Sequence, residues 1–344
     1  HNMELSDLAN GQFLHLSRFQ PDTFVQTRQW ALPSGDKVVV TAPGIIVIEP
    51  ANPGNKHIAL SCGVHGNETA PIEICSDILD AVLTGDLQLK HRLLLIFGNL
   101  PAMNIGKRFV EENMNRLFSG AWQQGNNAEC QRAKLLEESV IGFFSKAGEG
   151  DEKLHYDLHT AIRDSKNEKF VVMPYLDDGR EHSAKQFGFL AACGVNTFLL
   201  SSAPTTTFSY FSTATCKARG FTVELGKVRP FGENDMARFA AARASLIALL
   251  SETDYAPEAN LDSLLIYRVN QVINRNHADF KLHFDDDTPN FTDFKQGEVL
   301  ASEPGCEYVA EHEGEAIVFP NAKVAMGQRA LLTVVPTTVE KLDV

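Results

Sequence analysis

The chain has 344 residues, of which 44% are hydrophobic and 22% are charged. This composition is that of a globular protein, so it excludes a disordered or collagen-like chain, and the length suggests about two domains. Asp and Glu number 44 against 31 Lys and Arg, and this net charge of −13 disfavours nucleic-acid partners, because an acidic surface repels phosphates.

The sequence predicts neither a membrane partner nor a signal peptide. No apolar run approaches the roughly 20 residues that cross a bilayer, and the first residues show no charged segment followed by an apolar one. The six cysteines include no CxxC pair, which favours reduced thiols. We therefore expect a cytoplasmic protein that acts on a small molecule, and its oligomeric state, a homo-oligomer included, stays open.

The first 55 residues show β-like alternation of apolar and polar side chains. Residues 24–30 and 37–41 flank a turn at residues 33–36, a pattern that predicts a hairpin. Residues 44–49 form a further β-branched run. We expect an N-terminal β segment over residues 1–55.

From residue 57 onward, short apolar runs alternate with helical spacing. Predicted strands cover residues 58–62, 92–97, 154–158, 170–173 and 221–225, and predicted helices cover residues 70–83, 134–146, 183–192 and 233–250. Such alternation is typical of an α/β domain with a mostly parallel or mixed sheet flanked by helices. We expect this domain to span residues 1–255.

The pattern changes after a linker at residues 252–259. Helical spacing ends, and apolar runs separated by Gly and Pro follow at residues 263–273, 278–283, 316–319 and 331–335. These runs predict a small all-β domain over residues 260–344, which we expect to cap the cleft of the first domain.

The sharpest motif is HGNE at residues 65–68, between a predicted strand and a predicted helix. Open α/β sheets bind ligands at this edge, and an imidazole and a carboxylate three residues apart can bind one Zn²⁺. His65 and Glu68 are therefore candidate metal ligands. Taken alone, the pair is also consistent with ordinary polar residues of a loop.

A second motif, LHYDLHT at residues 154–160, supplies another imidazole. Strand alternation places His155, Asp157 and His159 on one face, with His159 at the strand end. His159 would complete a set of two His and one Glu with an open position, which is typical of catalytic zinc sites. Asp157 could support such a ligand, and the alternative is a histidine satisfied within the strand.

Two further segments carry candidate catalytic and binding groups. Glu224 ends an apolar strand and has the chemistry of a base beside a metal-bound water, unless it is a surface residue. Arg116 offers a fork for a carboxylate, Asn115 offers an amide donor, and Arg108 could hold a second carboxylate or polarise a carbonyl. The alternative for this segment is a solvated charged loop.

In order and spacing, these segments resemble the succinylglutamate desuccinylase/aspartoacylase family, whose fold is zinc-carboxypeptidase-like. The matching motifs are HGNE (65–68), NMNRLF (113–118), DLHTA (157–161) and VELGK (223–227). The resemblance implies one Zn²⁺ per chain with His65, Glu68 and His159 as ligands. It also implies Glu224 as general base and then general acid. Substrate-binding positions implied by the resemblance are Arg108, Asn115 and Arg116.

The resemblance further implies hydrolysis of the succinyl amide of N-succinylglutamate, a small anionic substrate, as the last step of arginine catabolism by the succinyltransferase pathway. Another acylamino-acid amidohydrolase or a zinc carboxypeptidase is the alternative. Ala214 stands where aspartoacylases carry a carboxylate-binding arginine, and residues 317–319 offer no match to their tyrosine. These departures argue against N-acetylaspartate and leave Lys217 and Arg219 as further candidates for binding a carboxylate.

Other classes fit less well. A metal-free binding protein would have no need of all three ligands together with Glu224. A serine hydrolase would carry a GxSxG motif, which the sequence lacks, and Cys62 lies within an apolar run that predicts a buried, inert thiol.

Overall fold

The structure is a computed structural model that describes residues 2–344. Within this range the helices are α1 Gln12–Phe19, α2 Thr69–Leu83, α3 Leu100–Ile105, α4 Ala128–Phe144, α5 Ala184–Ala192, α6 Phe208–Cys216 and α7 Ala240–Ser251. The strands are β1 Arg28–Ala31, β2 Lys37–Ala42, β3 Ile45–Glu49, β4 Lys56–Cys62, β5 Arg92–Phe97, β6 Glu152–Ala161, β7 Phe170–Met173, β8 His182–Ser183, β9 Thr197–Leu200, β10 Arg219–Lys227, β11 Leu265–Asn274, β12 Lys281–Leu282, β13 Asp293–Phe294, β14 Val299–Glu303, β15 Cys306–Val309, β16 Glu315–Val318, β17 Arg329–Pro336 and β18 Leu342–Asp343. None of the helices in residues 2–344 is long and apolar enough to cross a bilayer.

Most of the strands belong to one mixed sheet in the order β1-β2-β3-β5-β4-β6-β10-β7-β9-β11-β17-β16-β13. Its centre, β5-β4-β6-β10, is parallel. Parallel strands end at the same edge, so the side chains at the ends of β4, β6 and β10 lie close together. The register pairs Glu224 with His159 and Ser61 with Asp157.

Helices cover both faces of the central sheet. On one face α2, α5 and α7 pack through side chains such as Ile78, Phe187 and Leu246, and on the other α4 and α6 pack through Leu136 and Phe211. Each fully buried side chain of this size contributes about 1.5–3 kcal/mol relative to its exposed state. These two cores fix the parallel strands in place and confirm the predicted α/β fold class.

The C-terminal strands form a separate β-rich part that shares the large sheet. β11 pairs parallel with β9 and antiparallel with β17, so the sheet continues from the α/β part into this region. Ile273, Leu300 and Leu331 belong to a core of its own. The all-β character is as predicted, although β12 covers only two residues of the expected run at 278–283.

Three helices, α1, α3 and α6, were not predicted, and α1 lies within the segment 1–55 that was expected to be β. Both α1 and α6 depend on tertiary contacts. α1 has eight residues, too few for a helix to be stable in isolation, and Phe13 anchors it with its ring centroid 5.4 Å from that of Phe24 and 6.2 Å from that of Phe97. α6 is rich in Ser, Thr and aromatic residues, which favour helices weakly, and it is capped by Thr207.

The helix predicted over residues 233–250 begins later than expected. A 3₁₀ turn covers Met236–Phe239 and α7 starts at Ala240. The side chain of Asn234 donates to Thr69 Oγ1 at 2.9 Å and to Glu73 Oε1 at 2.7 Å. Because these bonds tie residue 234 to α2, the chain ahead of α7 stays outside the helix.

Candidate active site

The candidate active site lies at the carboxyl edge of the parallel strands. His65 and Glu68 lie between β4 and α2, and Glu68 is the N-cap residue of α2. His159 lies near the end of β6, with Glu224 beside it on β10. Gly66 allows the loop to lie directly against α3, since a Cβ at this position would overlap the backbone of that helix.

His65, Glu68 and His159 form a compact cluster of metal-binding type. One ligand atom from each lies within 4.8 Å of the others. Glu68 Oε2 is 2.7 Å from His65 Nδ1, and Glu68 Oε1 is 3.0 Å from His159 Nδ1. All three residues are buried, and the close contact of His65 Nδ1 with Glu68 lacks hydrogen-bond geometry, so this nitrogen has no hydrogen bond within residues 2–344. This donor set, with one imidazole nitrogen left unpaired, fits a Zn²⁺ ion.

The other nitrogen of each imidazole contacts an acceptor outside the cluster. His65 Nε2 lies 2.7 Å from Asn113 Oδ1, and His159 Nε2 lies 2.6 Å from Asp157 Oδ2. Such partners fix the ring and its tautomer, so that Nδ1 can face a metal. Asp157 therefore supports the His159 ring, as its place on the strand predicted. The contact of Asn113 with His65 was not predicted.

Asp157 ends a buried hydrogen-bonded chain beneath the cluster. Ser61 donates to Asp157 Oδ1 at 2.7 Å and lies 2.8 Å from His155 Nε2. His155 Nδ1 lies 2.8 Å from Ser212 Oγ. Burial lowers the pKa of His155 to about 4, so this ring is neutral at pH 7. His155 thus supports the site from behind and does not belong to the metal-binding cluster.

The electrostatics of the cluster favour a bound cation. Burial, together with the charge of Arg108, lowers the pKa of His65 to about 4 and keeps its ring neutral. Burial disfavours the charged form of Glu68, but the two imidazoles outweigh it and hold the pKa of Glu68 well below its usual range. Burial likewise opposes a charge on His159, yet Asp157 and Glu68 raise the pKa of His159 well above its usual value. The buried carboxylates therefore attract positive charge to this position.

Glu224 lies beside the cluster in surroundings that suit a general base. It is 6% exposed, and its Oε2 has no hydrogen-bond partner within the described part of the chain. Burial raises the pKa of Glu224 to about 7, against the opposing charge of His159. A base works best when its pKa is near the working pH. Its burial excludes the alternative of an ordinary surface glutamate.

The loop that carries the candidate substrate-binding residues is anchored by Glu129 of α4. The Glu129 carboxylate accepts hydrogen bonds from the backbone N–H groups of residues 110, 111 and 112 at 3.0, 2.7 and 2.9 Å. Further along, Asn115 Oδ1 accepts from the N–H of Phe208 at 2.9 Å. These bonds order a segment that would otherwise be a solvated loop, and they leave the Asn115 amide donors for other partners.

Arg108 and Arg116 line the same cleft with little compensation of their charge. Arg108 Nη1 lies 3.4 Å from Glu68 Oε2, and Arg116 Nη1 donates to the carbonyl of Asn115 at 3.1 Å. Burial, and then the charge of Arg108, lower the pKa of Arg116 to about 10. The guanidinium of Arg116 remains charged at pH 7 and suits an anionic ligand.

The cleft above these residues has a volume of about 810 Å³ and is lined by both parts of the chain. Residues 319–325 and the loop before β13 contribute one part of its wall. Arg163, just after β6, donates to the backbone carbonyls of Asp286, Thr288 and Pro320 at 2.6, 2.7 and 3.1 Å. These bonds fasten the C-terminal loops over the active-site edge.

The suggestion that Lys217 or Arg219 binds a substrate carboxylate is wrong. Both lie near the amino end of β10, away from Glu224, and neither lines the cleft. Arg219 Nη2 pairs with Asp343 at 2.6 Å. The cleft is instead lined by Arg329, the first residue of β17, and no sequence signal marks that residue, because it lies at the start of an ordinary apolar strand.

These features define the class of site. A mixed α/β sheet carries a His-Glu-His cluster with a buried carboxylate base next to it, at the edge where such sheets bind ligands. This is the donor set and layout of catalytic metal sites in hydrolases.

Comparisons with known proteins agree with this class. The model of the Succinylglutamate desuccinylase/Aspartoacylase catalytic domain matches residues 54–250, and that of the AstE/AspA barrel-sandwich hybrid domain matches residues 262–337. The succinylglutamate desuccinylase of Pseudoalteromonas atlantica is 52% identical over 336 residues, which cover 96% of this chain and 95% of that protein. The crystal structure of succinylglutamate desuccinylase from Chromobacterium violaceum, 38% identical, matches with a TM-score of 0.84 over 97% of this chain and 100% of that one. The chain therefore belongs to the succinylglutamate desuccinylase/aspartoacylase family.

Proposed function

We propose that this protein hydrolyses the succinyl amide of N-succinyl-L-glutamate to succinate and L-glutamate, as the last step of arginine catabolism by the succinyltransferase pathway. The observation that carries the proposal is the buried cluster of His65, Glu68 and His159 beside Glu224. It is supported by about 50% identity, over nearly the whole length, to proteins named succinylglutamate desuccinylase.

The metal that best suits the cluster is Zn²⁺, one per chain. His65 Nδ1, Glu68 and His159 Nδ1 would hold the ion, and two His with one Glu are a donor set typical of catalytic zinc sites. When bound, the ion supplies Lewis acidity: it lowers the pKa of a water molecule and polarises the amide carbonyl. Asn113 and Asp157 keep both imidazoles in the orientation that presents Nδ1.

Glu224 acts first as general base and then as general acid. Its unpaired Oε2 takes a proton from the water that attacks the amide carbon, for which its pKa of about 7 is well placed. As the C–N bond breaks, Glu224 delivers this proton to the departing nitrogen. The products are the succinate carboxylate and the free amine of glutamate.

Arg108, Asn115 and Arg116 bind the substrate. The planar fork of Arg116 suits a bidentate contact with a carboxylate, and Asn115 offers its amide donors next to it. Arg108 lies 3.4 Å from the ligand Glu68, so it is close enough to the metal-binding cluster to donate to the oxygen that gains charge during attack. The substrate carries three carboxylates, which explains why cationic groups gather here in an acidic chain.

We infer that the protein is cytoplasmic and that its partner is a small anionic acylamino acid. All six cysteines lie within the described residues and are unpaired, four of them buried, which supports a reducing compartment. The net charge of −13 disfavours a nucleic-acid partner, because an acidic surface repels phosphates. A small anion can still bind where arginines gather locally.

The substrate assignment is tested by measuring amino-acid release from N-succinylglutamate, N-acetylaspartate and a dipeptide. We expect kcat/KM for N-succinylglutamate to exceed the other values by about 100-fold or more, because each missing carboxylate leaves an arginine unpaired. Preference for N-acetylaspartate would indicate an aspartoacylase, and preference for the dipeptide a carboxypeptidase. Either preference contradicts the proposal.

A further inference from the structure

Arg329 stands out in the cleft because its guanidinium forms no ion pair within the part of the chain that the structure describes. It is the first residue of β17, in the C-terminal β part, and it lines the cleft together with Arg108, Arg116 and Glu224. Its Nε is buried without a hydrogen-bond partner, and within residues 2–344 no ion pair involves its guanidinium. A partly buried cation whose Nε has no acceptor is unfavourable unless a ligand compensates it.

The surroundings of Arg329 hold its guanidinium in place without neutralising it. Its Cζ lies 5.1 Å from the centre of the Phe319 ring. Phe319 adopts a left-handed backbone conformation, with φ of 56°, and its N–H donates to the buried Asn290 Oδ1 at 2.9 Å. The Phe319 ring also packs on Phe170, with centroids 5.5 Å apart. A strained backbone position held in this way is typical of binding sites.

The positive charges around Arg329 add to one another. Burial lowers the pKa of Arg329 well below its usual value, and the charges of Arg116 and Arg108 lower it further. The charge of Glu224 has the opposite effect and raises the pKa of Arg329. Arg108, Arg116 and Arg329 therefore share one cleft, and the contact of Arg108 with Glu68 is the one ion pair that any of them forms within residues 2–344. Such unpaired positive charge is expected of a site for an anion with several charges.

We propose that Arg329 binds one of the three carboxylates of the substrate and thereby makes the C-terminal β part a determinant of specificity. This inference rests on the proposed function. It assigns to Arg329 the contact for which Lys217 and Arg219 lie too far away. An amide that lacks the matching carboxylate would leave the Arg329 charge unpaired and would be discriminated against for that reason.

The test combines Arg329→Gln with substrates that each lack one carboxylate. These substrates are N-butyrylglutamate, N-succinylglutamine and N-succinyl-4-aminobutyrate. We expect Arg329→Gln to lower kcat/KM for N-succinylglutamate by about 100-fold. For the analogue that lacks the carboxylate bound by Arg329, kcat/KM of wild type and variant should differ by about twofold or less, because that analogue cannot make the contact in either protein. An equal loss on all three analogues, or no loss on the full substrate, would overturn the inference.

Control variants separate binding from folding. Arg268→Gln removes the same charge from the adjacent strand β11, where Arg268 is exposed outside the cleft, and it should behave like wild type. Arg329→Lys keeps the charge but loses the planar fork, so it should recover part of the loss. A drop in melting temperature that accounts for the lost activity of both Arg329 variants would indicate a structural role and count against the proposal.

A measurement without turnover distinguishes this inference from the proposed function. Succinate and L-glutamate are titrated calorimetrically into the zinc-loaded wild type and into Arg329→Gln. We expect at least one anion to bind about tenfold more weakly to the variant. If wild type fails to hydrolyse N-succinylglutamate but this difference appears, the proposed function fails and the carboxylate contact stands. Equal affinities, or no binding to wild type, contradict the contact.

Discussion

Replacing Glu224 by glutamine is expected to lower kcat by about 10²–10⁴-fold while leaving the metal in place. Glutamine has nearly the same shape but cannot accept a proton from water, and Glu224 is not part of the His65-Glu68-His159 cluster. We expect KM, melting temperature and metal content near their wild-type values. Steady-state kinetics with N-succinylglutamate and metal analysis of the same preparation measure all of these quantities.

The matched control for this variant is Glu111→Gln. Glu111 also lines the cleft, but it is exposed, and its side chain makes no hydrogen bond within residues 2–344. The two variants change the net charge equally, so only the loss of the base separates them. A fully metal-loaded Glu224→Gln protein with near-normal turnover would refute the assignment of Glu224 as the base.

Replacing His65 by alanine is expected to abolish stoichiometric metal binding and, with it, activity. The substitution removes one of three ligand atoms and leaves only Glu68 and His159 in the cluster, a set too small for a typical zinc site. Metal analysis after dialysis should find about one equivalent of zinc in wild type and almost none in the variant. A stoichiometrically loaded His65→Ala protein would show that the ion binds elsewhere.

Asn113, which contacts the His65 ring, allows a graded version of the same test. Asn113→Ala removes the oxygen that lies 2.7 Å from His65 Nε2, and we expect zinc to bind about 10–100-fold more weakly. Asn113→Asp keeps an acceptor oxygen at this position and should stay close to wild type. Competition with a fluorescent chelator measures both affinities, and an Asn113→Ala protein with wild-type affinity would exclude this supporting contact.

The short buried strands were the most predictable elements of the fold. The predicted strands at 92–97 and 170–173 coincide with β5 and β7, because strands covered on both faces are continuous apolar runs bounded by polar residues. α1 and α6 were not predictable in this way. Their own sequences favour helices weakly, and side chains such as Phe13 and Phe211 are buried against elements that are distant in sequence.

The three residues of the metal-binding cluster were predictable from the sequence, whereas some of the residues that surround them were not. His65 and Glu68 follow β4, and His159 lies near the end of β6 at the same sheet edge. Their convergence therefore follows from the topology together with the family resemblance. Asn113 and Arg329 were missed because their contacts depend on how a loop and a distant strand fold back onto this edge. The spacing of residues along the chain does not predict such long-range contacts.

We expect this chain to cleave N-succinylglutamate with a metal held by His65, Glu68 and His159. The most direct test measures glutamate release by the purified chain before chelation, after chelation and dialysis, and after Zn²⁺ is returned. We predict release that falls to background on chelation and recovers with about one equivalent of Zn²⁺. Release that persists in metal-free protein, or zinc-loaded protein that releases no glutamate, would contradict the account.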